Sequence, residues 1–231
     1  MKRKIGQQAY FSKAEAIIWA SSVFAIIASY CVFDRDGGLT LIAPLIGVTS
    51  IMINAKGNPI GQMLMIVFSL IYGYISFDCA YYGEMITYLG MTLPMSAFAL
   101  VSWLAHPYSG RRSEVQINRI SNKDFAVILL LSLPVTVLFY FVLRFFGTAN
   151  LIPSTASVTT SFIAAALTFR RSTYFSLAYA LNDIVLIVLW SMAIPQSTRY
   201  ASVVVCFAAF LVNDIYGFIN WKKMEKYQMP K

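Results

Sequence analysis

The residues best placed to do chemistry are acids and amides set inside apolar runs. Asp183 follows Asn182 within the run 174–190, and Asp214 follows Asn213 within the run 199–221. Ionisable side chains in such surroundings are costly and mark function by default. Tyr179, Asp183, Leu186 and Trp190 recur at helical spacing, which places all four on one face, bordered by Phe175 and Asn182. An aromatic face attracts a cation, and a carboxylate neutralises it. The stripe therefore suits a flat, polar-edged or cationic heteroaromatic ligand. Tyr88, Met91, Thr92, Met95 and Ser102 form a milder stripe on an earlier run, and Gln62, Ser69 and Tyr72 lie on the run before that. Each Asn–Asp pair also has a structural role open to it, hydrogen-bonding one helix to its neighbour. Trp103, Trp190 and Trp221 lie near the ends of runs, where tryptophan anchors to the membrane interface. Glu84 opens a run, where a carboxylate favours a helix N-terminus.

Other chemistries are poorly supplied. His106 is the only histidine, which argues against a histidine metal site or a catalytic triad. Cys31, Cys79 and Cys206 lie in or beside apolar runs at no metal-ligand spacing and read as core residues. No phosphate-binding G-x-x-x-x-G-K-[ST] motif occurs. The expectation is a protein with no catalytic residues, no metal and no cofactor. The net charge of +8 raises nucleic-acid binding, but the basic residues sit in short clusters between apolar runs, and no nucleic-acid partner is expected.

The elements that must position these residues are membrane spans. Hydrophobic residues make up 58% of the 231 and charged residues 12%, about half the charge of a soluble domain. Uninterrupted apolar length divides the chain into eight candidate helices, A to H: 14–33, 39–55, 60–77, 84–105, 125–146, 153–169, 174–190 and 199–221. The first reads as a retained span rather than a cleaved signal. Alternating the sides places Lys2, Arg3, Lys4, Lys13, Lys56, Arg111, Arg112, Arg119, Lys123, Arg170, Arg171, Lys222, Lys223, Lys226 and Lys231 on one side. Only Arg35, Arg144 and Arg199 remain on the other, with Asp34, Asp36 and Asp78. That asymmetry predicts eight spans in the cell membrane with both termini in the cytoplasm. Counting at 1.5 Å per residue from Arg171 and from Lys222 brings Asp183 and Asp214 to within about 6 Å of one depth.

The chain also resembles itself. ALTFRRSTYFSLAYALNDI, from Ala166, sits like INAKGNPIGQMLMIVFSLI, from Ile53, 113 residues earlier. Helix D ends in Ser102–Trp103 and helix H in Asn220–Trp221. B-C-D and F-G-H thus read as two copies of a three-helix unit that point the same way because E adds one crossing. The organisation expected is a tail and extra helix (1–38), a first triple-helix bundle (39–106), a cytoplasmic loop and linker helix (107–150), and a second bundle with a basic tail (151–231).

YYGEMITYLGMTLPMSAFALVSW (81–103), TFRRSTYFSLAYALNDIVLIVLW (168–190) and VNDIYGFINW (212–221) resemble stretches of the PnuC family of bacterial vitamin transporters. The resemblance implies an all-α membrane protein with a SWEET-like 3+1+3 fold. It also implies a nicotinamide riboside carrier that works by facilitated diffusion, with trapping by a cytoplasmic kinase, and assembly as a homotrimer in the lipid bilayer. Relatives carry thiamine or riboflavin. The chain departs from the family pattern at Tyr88, where relatives often have Asn, and at Phe175 and Ala178, where they often have Trp. A membrane-embedded binding subunit with a separate energising partner is the rival class.

Overall fold

The computed structural model describes residues 10–35, 37–78 and 82–229. Lys2, Arg3, Lys4, Lys231, Asp36, Cys79 and Tyr81, invoked above, lie outside the described residues.

Eight helices form among the described residues: α1 (Lys13–Phe33), α2 (Gly38–Asn54), α3 (Ile60–Asp78), α4 (Tyr82–Ala105), α5 (Asn122–Phe145), α6 (Leu151–Phe169), α7 (Phe175–Ser191) and α8 (Tyr200–Gln228). They match A to H in order. Six are long and apolar enough to cross a membrane, while α2 and α7 have 17 residues each, the lower end of a spanning length. Five start earlier than hydropathy placed them, and two of these, α1 and α5, do so at a capping box. Ser12 and Glu15 close one at the head of α1, and Ser121 and Asp124 close one at the head of α5. Helix α8 runs seven residues past the expected end at Trp221. Its last turns stay helical because Arg119 bonds Glu225 at 2.8 Å, Lys222 bonds Glu225 at 3.1 Å and Gln228 Nε2 donates to Val115 O at 3.1 Å. The basic tail is thus largely helix. The polar loop after α4 holds a short antiparallel hairpin, β1 (Pro107–Tyr108) and β2 (Arg111–Val115). Cys206 is buried as expected, but Cys31 is exposed on the outer face of α1.

Packing follows a symmetric plan. Helix α3 packs on α2 and α4, α7 packs on α6 and α8, and the two groups meet where α2 touches α8 and α4 touches α6. Exchanging α2 with α6, α3 with α7 and α4 with α8 maps this set of contacts onto itself. Helix α5 lies against α6, and α1 lies against α2 and α8. The turns after α2 and α6 repeat the same backbone. Gly57 and Arg171 both take left-handed φ, 68° and 57°, and their N–H groups bond Asn54 O and Thr168 O at 2.9 Å in both turns. That equivalence lies at 114 residues, one more than the offset of 113 read from the sequence. Apolar letters alone do not fix a register, whereas the position of a left-handed turn does. Arg171 holds this unfavourable φ in return for bonds from its guanidinium to Ser102 Oγ (2.8 Å) and Gln116 O (3.2 Å). Burial, and then the charge of Arg170, lower the pKa of Arg171. His106 Nδ1 lies 2.9 Å from the same guanidinium, which gives the single histidine a place in this loop.

Candidate functional site

The acids come together as their depth required. Asp183 on α7 and Asp214 on α8 are 4% exposed each, and their carboxyls lie within hydrogen-bonding reach of one another. They line a central cavity of about 70 Å³ between the two helix groups. Two carboxyls this close in apolar surroundings repel when both are charged, so a ligand cation has its strongest partner here.

The rest of the cavity wall is aromatic and hydroxylic. From α7 come Phe175, Tyr179, Asn182 and Leu186, and from α4 come Tyr88, Met91 and Thr92. Asn182 Oδ1 accepts from Thr160 Oγ1 at 2.7 Å and from Ser161 Oγ at 3.0 Å, both on α6. Among the described residues no hydrogen bond joins it to Asp183, although both line the cavity. Asn213 turns away from Asp214 and from the cavity, since successive helix residues do not face each other. Asn213 is fully buried against α1, where its Nδ2 donates to Ser22 Oγ at 2.7 Å, and it also donates to Ala209 O of its own helix at 2.8 Å. The Asn residues therefore act as links between helices rather than as partners of the acids.

Four further expected site residues lie elsewhere. Gln62 donates to Asn54 Oδ1 at 2.9 Å and ties α3 to α2. Ser69, fully buried, bonds Met65 O of its own helix at 2.8 Å. Neither lines the central cavity, because their faces of α3 turn into the first helix group. Tyr72 and Trp190 line a wide vestibule of about 790 Å³ at the end opposite the start of α1 and the end of α8. Their positions near helix ends carry them above the acids. Trp190 is 8% exposed, with its ring 5.3 Å from that of Tyr200.

Sequence reasoning missed part of the wall. Asn54, Phe68, Glu84, Thr87, Ser157, Ser161, Phe207 and Phe210 also line the central cavity. Phe68, Phe207 and Phe210 border the vestibule too and form the partition between them. Gly47 makes room for this partition, since a Cβ there would press on the ring of Phe210. Glu84, Thr87, Tyr88, Met91 and Thr92 share one helical face. The face then breaks, because residues Tyr88–Thr92 form a π turn. Pro94 comes next, and a missing N–H with its ring clash favours such a wider turn. The extra residue rotates the remainder of α4, so Met95 packs beside Leu143 and Val158 instead of extending the stripe.

At the end where α1 begins and α8 ends the path is sealed by Trp103, Trp221 and Phe175, which are 0%, 0% and 2% exposed. The indoles lie 5.4 Å apart, and Phe175 sits 4.7 Å from Trp221. Trp103 Nε1 donates to Thr168 O and Trp221 Nε1 to Asn54 O, both at 2.9 Å. Ser102 Oγ donates to Phe169 O and Asn220 Nδ2 to Ala55 O, both at 2.8 Å. Each helix group thus clamps the other through the same pair of bonds. The two tryptophans expected at the membrane interface are instead the floor of the cavity. Their placement at run ends was legible, but burial needs the opposite helix group.

Comparisons with known proteins agree with this fold. The family described as nicotinamide mononucleotide transporter matches residues 37–223. The chain is similar to the nicotinamide riboside transporter PnuC of Neisseria mucosa, 23% identical over 213 residues that cover 90% of this chain and 81% of that protein. It is also similar to the nicotinamide riboside transporter PnuC of Haemophilus influenzae, 25% identical over 215 residues covering 91% and 90%. Its fold matches the crystal structure of the vitamin B3 transporter PnuC with a TM-score of 0.82 and 21% identity over 96% of each chain.

Proposed function

This chain belongs to the PnuC family of membrane transporters, and on that premise we propose that it carries nicotinamide riboside by facilitated diffusion. The observation that carries the reading is the facing pair Asp183 and Asp214 in an aromatic cavity between two helix groups. Nicotinamide riboside bears a permanent pyridinium charge. The carboxyl pair answers that charge, the tyrosine and phenylalanine rings answer the flat ring, and the amide and hydroxyls answer the ribose. Curated relatives from Neisseria mucosa and Haemophilus influenzae carry this substrate in their names.

A whole ligand of this kind needs a cavity of roughly 300 Å³ or more. The central cavity holds about 70 Å³ and the vestibule about 790 Å³. Binding therefore begins in the vestibule and requires the Phe68–Phe207–Phe210 partition to move. Release on the other side requires the Trp103–Trp221 floor to part. The two helix groups that share this floor are the bodies that rock in alternating access. Net uptake then depends on a cytoplasmic kinase that phosphorylates the vitamin and retains it. The trimeric assembly expected from the family is part of this proposal.

The test is uptake by purified protein in liposomes, with labelled nicotinamide riboside, thiamine and riboflavin side by side. Nicotinamide riboside is expected to equilibrate fastest and, with membrane potential clamped at zero, not to accumulate under a proton or sodium gradient. Accumulation above equilibrium would refute diffusion, and faster uptake of thiamine would reassign the substrate.

Orientation is set by charge. Among the described residues the basic clusters at 56, 111–123, 170–171 and 222–226 lie at the end where α1 begins and α8 ends, so we place that end in the cytoplasm. A cysteine replacing Ser113 in the β-hairpin, on a cysteine-free background, is expected to resist a membrane-impermeant maleimide in whole cells and to react after lysis. Strong labelling of intact cells reverses the assignment.

A further inference from the structure

We propose that Glu84 forms a second cation site, a threshold that takes the ligand's positive ring between the vestibule and the Asp183–Asp214 pair. The proposal rests on the reading of the substrate as an organic cation and adds to it a step and a residue. Glu84 stands in the first turn of α4. It borders the vestibule, the central cavity and a side cavity of about 240 Å³ beside the α5–α6 turn. No other described residue borders all three. Among the described residues its carboxylate has no hydrogen-bond or ion-pair partner.

A carboxylate at a helix N-terminus can serve the helix alone. Two features of the surroundings point to a ligand instead. Among its described lining residues the vestibule also carries Asp34 and Asp78 against one arginine, Arg199, so these residues favour cations at its mouth, and clefts of one sign concentrate the opposite charge and speed its arrival. Tyr88 lies four residues after Glu84 and borders the same central cavity, which sets an aromatic ring one turn below the carboxylate. A flat cation leaving the vestibule thus meets a carboxylate with a ring beneath it. The acid pair borders that same cavity, so transfer from Glu84 to the pair needs only the Phe68–Phe207–Phe210 partition to move.

A threshold site governs arrival more than residence. Glu84→Gln keeps the shape and removes the charge. In stopped-flow binding to the purified full-length protein, it is expected to slow association of nicotinamide riboside about tenfold and to flatten its salt dependence. Dissociation stays within about twofold, since affinity set by a remote pair shows in the off-rate. The uncharged dihydropyridine form of the same riboside associates with the variant as with the wild type. Glu84→Asp, which keeps the charge, associates at close to the wild-type rate. Three results overturn the proposal: an unchanged association rate in Glu84→Gln, a Glu84→Asp variant as slow as Glu84→Gln, or a loss carried by faster dissociation. Asp183→Asn in the same assay separates the two readings. If it loses affinity for the cation while Glu84→Gln does not respond, the threshold fails and the central site stands. If neither variant responds, the cationic-substrate reading fails.

Discussion

Asp183→Asn is expected to weaken binding of nicotinamide riboside by about 10- to 150-fold while the protein keeps its size-exclusion profile. The figure is the worth of a hydrogen bond to a charged group, about 1.5–3 kcal/mol, converted to affinity. The carboxyl is 4% exposed and meets Asp214 across the cavity. A cation loses half of its counter-charge in the variant, and the amide that replaces the carboxyl keeps the volume. Asp214→Asn should act alike, and the double variant should lose less than the sum, because residues that share one ligand charge do not act independently. Isothermal calorimetry reads all three. Ser22→Ala is the informative control. It breaks the bond from Asn213 Nδ2 away from the cavity, while Asn213 Nδ2 keeps its bond to Ala209 O, so it should cost about 0.5–1.5 kcal/mol of stability and leave affinity alone. Unchanged affinity in both aspartate variants, with the fold kept, would place the binding site elsewhere.

The second large effect belongs to the floor. Replacing Trp103 and Trp221 together by Phe keeps two aromatic rings and deletes both indole donors. Each acceptor carbonyl retains a partner, since Gly57 N–H also bonds Asn54 O and Arg171 N–H also bonds Thr168 O. The loss is therefore that of two ordinary hydrogen bonds, about 0.5–1.5 kcal/mol each, with no carbonyl left unpaired. Both bonds cross between the helix groups and exist only while the floor is closed. Their removal should shift the equilibrium toward the opened floor by roughly 5- to 150-fold. A cysteine replacing Ala178, which packs against this cluster, should then react with maleimide correspondingly faster in a cysteine-free protein. The single Trp→Phe variants should each give part of the effect, as their related bonds demand. An unchanged labelling rate in a folded double variant would mean that the floor does not open during the cycle.

Much of this protein could be read along the chain. Helix number and order come from apolar length, since a bilayer sets a minimum that little else in a protein imposes. Depth comes from the rise per residue, which is why Asp183 and Asp214 could be brought level before any contact was known. The inward face of α7 was legible because its aromatics and acid repeat at helical spacing. The capping boxes at Ser12 and Ser121 were written in the sequence as well, although hydropathy passed over them.

What the chain alone left open is which apolar surface meets lipid and which meets protein. In water, burial and polarity separate the two faces of a helix, but a lipid tail is as apolar as a leucine. Sequence therefore placed Trp103 and Trp221 at an interface, and only the opposing helix group made them a buried floor. It set Asn213 and Gln62 in the site, and only α1 and α2 claimed them. It read Glu84 as a helix start, and only the joining of three cavities at its carboxylate gave it a further role. Pairing between helices distant in sequence decided each case, because the partner that satisfies a buried polar group is supplied by the fold and not by the group's neighbours along the chain.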